Sequence, residues 1–147
     1  MDGVKIEGVE LYPLKQISVD KGNIFHALKS TDEGYAGFGE AYFSQIESGA
    51  VKGWKRHNRM PLNLIVPVGA IKFVVYDNRE GSATCGAFQE IIISVKDNYQ
   101  RLVVAPGLWM AFMGVDSQTS MLMDIIPEPH DPSEADRLDL DAIEYKF

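Results

Sequence analysis

Between Ala50 and Arg59 the chain reads AVKGWKRHNR, and Lys52, Lys55, Arg56, His57 and Arg59 crowd into this short stretch. The same protein carries a formal net charge of −7, so this is local positive charge in an acidic molecule. Such a cluster suits a small anionic ligand better than a polyanion, because nucleic-acid binders usually spread basic excess over a whole face. No nucleic-acid partner is expected. If the segment is a strand, successive side chains alternate faces. Lys55 and His57 then share one face, while Lys52, Trp54 and Arg56 share the other. An imidazole beside an ammonium is pushed toward its neutral form near pH 7, and a neutral histidine in a cavity can remove an acidic proton, such as one next to a ketone. The same cations would equally suit the solvated side of an edge strand.

These residues need a scaffold, and the sequence supplies strands rather than helices. Runs rich in Val, Ile, Phe and Tyr, bounded by Gly, Pro, Asp, Asn or Ser, predict strands over Val4–Leu11, Gly22–Leu28, Gly37–Gln45, Val51–His57, Leu62–Val68, Ile71–Asp77, Gln89–Ser94, Arg101–Val104, Leu108–Val115 and Ser120–Ile126. Turn signals recur between them. That rhythm indicates an all-β fold, a jelly-roll sandwich or barrel. With 147 residues and 46% apolar content, one domain spanning 1–147 is expected. Residues 127–147 form a C-terminal arm in which Ser133–Asp141 reads as a short capped helix. No apolar run reaches the roughly 20 residues that span a bilayer, and MDGVKIEGVELYP lacks the regions of a signal peptide, so a cytoplasmic protein without a membrane partner is expected. Cys85 is the single cysteine, which precludes an internal disulfide.

The run Lys52-Gly53-Trp54-Lys55-Arg56-His57-Asn58-Arg59, then a strand, then Val68-Gly69-Ala70-Ile71-Lys72-Phe73-Val74-Val75-Tyr76-Asp77-Asn78-Arg79, resembles the core of the sugar-nucleotide cupins. These are the dTDP-4-dehydrorhamnose 3,5-epimerases and the related dTDP-4-keto-6-deoxyhexose ketoisomerases. Asp20-Lys21-Gly22 resembles their early nucleotide-contacting element, and Ala105-Pro106-Gly107-Leu108-Trp109-Met110-Ala111-Phe112 resembles a later turn and strand. The resemblance implies a cupin-like homodimer in cell-surface carbohydrate biosynthesis, lipopolysaccharide included, with a dTDP- or GDP-linked 4-keto sugar as ligand and no cofactor. It implies His57 as base, Lys55 as oxyanion stabiliser and Tyr42 as acid, with Tyr76 the alternative. Lys21, Lys52, Arg56 and Arg79 would meet a diphosphate, for which basic side chains supply charge-assisted hydrogen bonds. Trp109 would stack on the nucleobase, and Asn63 would bond sugar hydroxyls from the barrel interior.

Several family positions differ. The base histidine falls on Lys55, leaving His57 at a second-histidine position, and the histidine after Pro-Gly falls on Met110. The epimerase lysine falls near Leu62, and the late-strand tyrosine falls on Met121 to Met123. In the wider metal-binding cupin pattern only His57 remains as a ligand, and an ammonium at Lys55 would repel a cation, so no metal is expected. Two functions stay open: an epimerase or isomerase working by proton abstraction next to the ketone, or a catalytically inactive cupin that binds sugar nucleotides.

Overall fold

The computed structural model describes residues 4–147. Its strands are β1 (Val9–Pro13), β2 (Gln16–Ile17), β3 (Ile24–Phe25), β4 (Glu40–Ile46), β5 (Val51–His57), β6 (Leu62–Val68), β7 (Ala70–Tyr76), β8 (Phe88–Ser94), β9 (Gln100–Val104), β10 (Trp109–Gly114), β11 (Ser120–Ile126) and β12 (Ala135–Arg137). They build a cupin-like antiparallel sandwich of two five-stranded sheets, ordered β1-β9-β6-β11-β4 and β12-β5-β10-β7-β8, with β2 and β3 as a separate small ribbon. Period-two alternation assigns the faces. Leu62, Leu64 and Val66 of β6 meet Ile71, Phe73 and Val75 of β7 and Leu122 and Ile126 of β11 in the core between the sheets.

The chain crosses from one sheet to the other at Gly69, whose φ of 80° lies in the left-handed region. A Cβ there would also strike Ser120, whose hydroxyl donates to Ala70 O at 3.1 Å and accepts from Ala70 N at 3.0 Å. Glycine is therefore required twice over at this corner.

The first strand begins at Val9 rather than Val4, and Gly22–Leu28 reduces to Ile24–Phe25 paired with Gln16–Ile17. The C-terminal arm forms no α-helix over Ser133–Asp141, only two short 3-10 turns, Pro132–Glu134 and Leu140–Ala142. Asp131 caps the first by accepting from Ser133 N, after which Ala135–Arg137 pairs with the edge of β5. A short helix without an apolar stripe has little to bury. An open sheet edge offers the same backbone a set of unpaired partners.

The outer face of the second sheet is also covered. Trp54, Val74, Trp109 and Ala111 are buried there beneath Ile143, Tyr145 and Phe147 of the arm. Trp54 Nε1 donates to Leu140 O at 3.2 Å, and its ring meets Phe147 at 5.7 Å and Tyr145 edge-on at 6.4 Å. The arm is thus stitched to β5 along its length, with Trp54 N donating to Leu138 O and Leu138 N returning the bond to Trp54 O.

Candidate active site

β5 carries a bulge. Across β10 its register runs Trp109 to Arg56, Met110 to Lys55, then Phe112 to Lys52, so one extra residue of β5 is taken up near Gly53 and Trp54. A β-bulge shifts the alternation beyond it by one residue. Lys52 consequently lies on the same face as Lys55 and His57, not with Trp54 and Arg56 as simple alternation predicts. Gly53 permits this, because a Cβ there would run into Ala111.

That face opens on a cavity of about 680 Å³ at the mouth between the two sheets. One wall is His57, Lys55 and Lys52 of β5 with Met110 and Phe112 of β10. The opposite wall is Tyr42 and Ser44 of β4 and Asp124 of β11. Arg137, Leu138 and Asp139 of the arm close one side. The size falls within the range of small-molecule sites.

His57 is 6% exposed and its Nδ1 lies 2.6 Å from Glu134 Oε1. The other carboxylate oxygen of Glu134 accepts from Arg59 N and Met60 N, each at 2.9 Å. Burial works to raise the Glu134 pKa, but the His57 hydrogen bond and then these two amide donors outweigh it and hold the carboxyl below its usual pKa. A carboxylate can only accept, so His57 donates from Nδ1 and carries its lone pair on Nε2 toward the cavity. Burial pushes the imidazole pKa down, and Lys55 adds to this; the Glu134 hydrogen bond opposes but does not reverse it. The result is a neutral, oriented base.

Lys55 is also held below its ordinary pKa, first by burial and then by Arg137, its register partner on β12. Across the cavity Tyr42 and Asp124 stand directly opposite each other in the β4–β11 ladder. Burial and the neighbouring Asp124 push the phenol pKa up. Burial pushes Asp124 up to about 6, against the lowering effects of Tyr42 and Lys55. Asp124 Oδ1 is shut off from solvent without a hydrogen-bond partner.

Of the residues expected from sequence, Tyr42, Lys52, Lys55 and His57 meet at this cavity. The remaining ones do not. Trp109 is 4% exposed on the outer face of the second sheet, with the Arg56 guanidinium 4.7 Å above its ring. That position rules out nucleobase stacking from the cavity. Arg56 itself donates to Asp136 Oδ2 at 2.6 Å, on the same outer side. Tyr76 stacks on Phe88 with ring centroids 4.5 Å apart, again outside. Asn63 points away from the interior: alternation turns it out of the core face of β6, where its Nδ2 donates to Gly34 O at 3.1 Å and its Oδ1 accepts from Arg101. Arg79 is tied to Asp77 and to Glu7 O and does not line the cavity. Lys21 sits in the exposed turn between β2 and β3 with φ 70°. Among the described residues no three His, Cys, Asp or Glu side chains converge as a metal site.

Sequence reasoning missed Glu134, Asp124 and Arg137. Asp124 had a visible signal, since it interrupts the core-facing alternation Leu122-Asp124-Ile126 of a strand. Glu134 had none, because its place depends on the arm folding back as β12 rather than as a helix.

No family model matches the chain. A probable low-salt glycan biosynthesis epimerase of Haloferax volcanii is 26% identical over 134 residues, covering 89% of this chain and 85% of that protein. The dTDP-4-dehydrorhamnose 3,5-epimerase of Bacillus anthracis, solved with TDP and pyrophosphate, shares the fold with a TM-score of 0.80 at 18% identity, over 95% of this chain and 85% of that one. A dTDP-sugar isomerase from Desulfovibrio desulfuricans superposes with a TM-score of 0.91 at 35% identity, over 93% of this chain and 87% of its own. At that identity and coverage, and with the same fold, the chain belongs to the dTDP-sugar isomerase and epimerase family of cupin-like sandwiches.

Proposed function

We propose that the cavity binds a nucleotide-linked 4-keto sugar and that His57 removes the proton from a carbon next to the ketone. The observation that carries this reading is the His57–Glu134 pair, whose 2.6 Å contact leaves Nε2 as the free base on the cavity side. Loss of the proton places negative charge on the ketone oxygen. Lys55 is the cavity cation suited to stabilise that oxyanion, in a site where partial burial strengthens the interaction. Inversion then requires a proton from the other face, and Tyr42 and Asp124 occupy that wall. Lys52 and Arg137, at the margin of the cavity, are the groups available to a diphosphate. The family relationship to dTDP-sugar enzymes supports a dTDP-linked ligand, with a GDP-linked one as the comparison.

The alternative, a binding protein that does not catalyse, is favoured by Lys55 and Met110 standing where histidines are expected. Solvent deuterium incorporation separates the two. Incubation with a dTDP-4-keto-6-deoxy sugar in D₂O should label the carbon next to the ketone, and His57→Ala should abolish labelling while leaving dTDP affinity intact. Binding without any exchange, for dTDP- and GDP-linked sugars alike, would leave only the binding role. As part of the same proposal the protein works in the cytoplasm as a homodimer, which light scattering at working concentration tests.

A further inference from the structure

Resting on the epimerase reading above, we infer that Asp124, in its neutral acid form, is a catalytic residue that returns the proton on the sugar face opposite His57, and that Tyr42 positions it. The geometry comes first. His57 projects from β5 in one sheet and Asp124 from β11 in the other, so a planar enolate held in the cavity would present opposite faces to the two groups. Inversion at carbon needs this arrangement, a base on one face and an acid on the other.

The carboxyl is also in an unusual state for an aspartate. It lies on the core face of its strand between Leu122 and Ile126, next to Leu64 of β6 in the ladder, and its Oδ1 is buried without a partner. An orphaned buried oxygen on an ionised carboxylate is costly, whereas a protonated carboxyl directs its O–H to a ligand. The titratable and charged groups around it are Tyr42 from β4 and Lys55 from β5, with Arg137 of β12 facing both of those. Tyr42 is the cross-strand neighbour of the carboxyl on the same inner face. The phenol, pushed above its ordinary pKa by burial and by that carboxyl, is the weaker acid of the two. A donor that titrates near the working pH combines availability with driving force better than a phenol that titrates far above it.

The step balances as follows. His57 Nε2 takes the proton, the C–H bond breaks, and its electron pair passes into the enolate beside Lys55. The O–H bond of Asp124 then breaks and a new C–H bond forms on the other face, leaving a carboxylate and an imidazolium. Water at the open mouth of the cavity takes the proton from His57 and reprotonates Asp124. Each inversion in D₂O therefore places one solvent deuterium on the inverted carbon.

The test is Asp124→Asn, with Tyr42→Phe alongside, acting on a dTDP-4-keto-6-deoxy sugar in D₂O. Deuterium wash-in and epimer formation are followed separately by NMR. Asp124→Asn should keep exchange within about tenfold of wild type, since His57 still works, while epimer formation falls at least about 100-fold, the lower end of a general acid's contribution. Tyr42→Phe should retain more inversion than Asp124→Asn. A second readout needs no Asp124 variant: the alkaline limb of wild-type kcat/KM should move to higher pH in Lys55→Met, because Lys55 lowers the Asp124 pKa. Unchanged epimerisation in Asp124→Asn, or an alkaline limb indifferent to Lys55, overturns the assignment to Asp124 alone. Absence of exchange in the wild type overturns the epimerase reading with it.

Discussion

Replacing Glu134 by glutamine should disable the base without dismantling the site. Glu134 Oε2 accepts from two fixed amides, Arg59 N and Met60 N, and Oε1 accepts from His57 Nδ1. Glutamine has one oxygen and one NH₂ to put in these two places. With the NH₂ toward the amides, two buried donors would be orphaned at about 1–3 kcal/mol each, against the roughly 1 kcal/mol of a single retained bond to His57. The oxygen therefore stays with the amides and the NH₂ faces Nδ1. Nδ1 must then accept, the ring proton moves to Nε2, and the atom that should take the substrate proton already carries one.

The corresponding carboxylate-to-amide change beside the histidine of a Ser-His-Asp triad lowers kcat about 10⁴-fold. General-base contributions of about 10²–10⁴ set the same scale, so a loss of about 10³–10⁴ is expected, or roughly 4–5.5 kcal/mol of barrier. The assay is single-turnover deuterium wash-in on a dTDP-4-keto-6-deoxy sugar, with dTDP affinity by calorimetry as the control for folding. The residual activity carries its own signature: Glu134 raises the His57 pKa, so its loss should shift the acidic limb of kcat/KM to lower pH. A Glu134→Gln enzyme within tenfold of wild type, with an unmoved acidic limb, would refute the claim that the pair sets the histidine's tautomer.

Lys55→Met should lower kcat about 10²- to 10³-fold with dTDP affinity largely kept, as expected when one preorganised oxyanion partner is removed; steady-state kinetics beside calorimetry check the split. Asp124→Asn should raise stability at pH 7–8. A carboxyl whose folded pKa of about 6 exceeds its unfolded value near 4 stabilises the fold at low pH, and that stability is lost as pH rises from about 4 through about 6, so urea midpoints should show a gain of about 2–3 kcal/mol at pH 8 that shrinks toward pH 4. Asp77→Ala should destabilise by about 3 kcal/mol, because the buried Asp77 accepts from Arg79 Nε at 2.9 Å, Ser82 Oγ at 2.7 Å and Thr84 Oγ1 at 2.7 Å. The Arg79 guanidinium, with the two hydroxyls, holds the Asp77 carboxyl well below the usual range, so this contribution is present above about pH 4 and is lost as pH falls further; acid unfolding of wild type against the variant measures it.

How far the sequence could be read depended on whether a residue's neighbours came from its own strand. β5, β6 and β11 coincide with the predicted Val51–His57, Leu62–Val68 and Ser120–Ile126, because β-branched runs between turn residues encode a strand locally. The pairing of Lys55 with His57 on one face follows from the same local rule. Lys52 did not, because the bulge that turns it into the cavity depends on Ala111 of β10 closing against Gly53, a contact between strands far apart in sequence. The basic cluster looked like one anion site for the same reason. In the folded chain Arg56 is drawn to Asp136 and Arg59 to Glu128, both from the returning arm, and of the original cluster only Lys55, His57 and Lys52, whose Nζ also donates to Gln45 O at 2.6 Å, line the cavity.

The arm therefore does more than cover a sheet. By satisfying Arg56 and Arg59 on the outside and placing Glu134 behind His57, it separates positive charge that serves the fold from positive charge that faces the cavity. The same β12 pairing sets Arg137 beside Lys55, where it adds to burial in lowering the Lys55 pKa, while Lys55 in turn lowers the pKa of Asp124 across the cavity. A group on the wall opposite His57 is thus tuned by a segment that also fixes the histidine's tautomer. Base and acid are not independent parts of this site, and a change in the arm should alter the titration of both walls together.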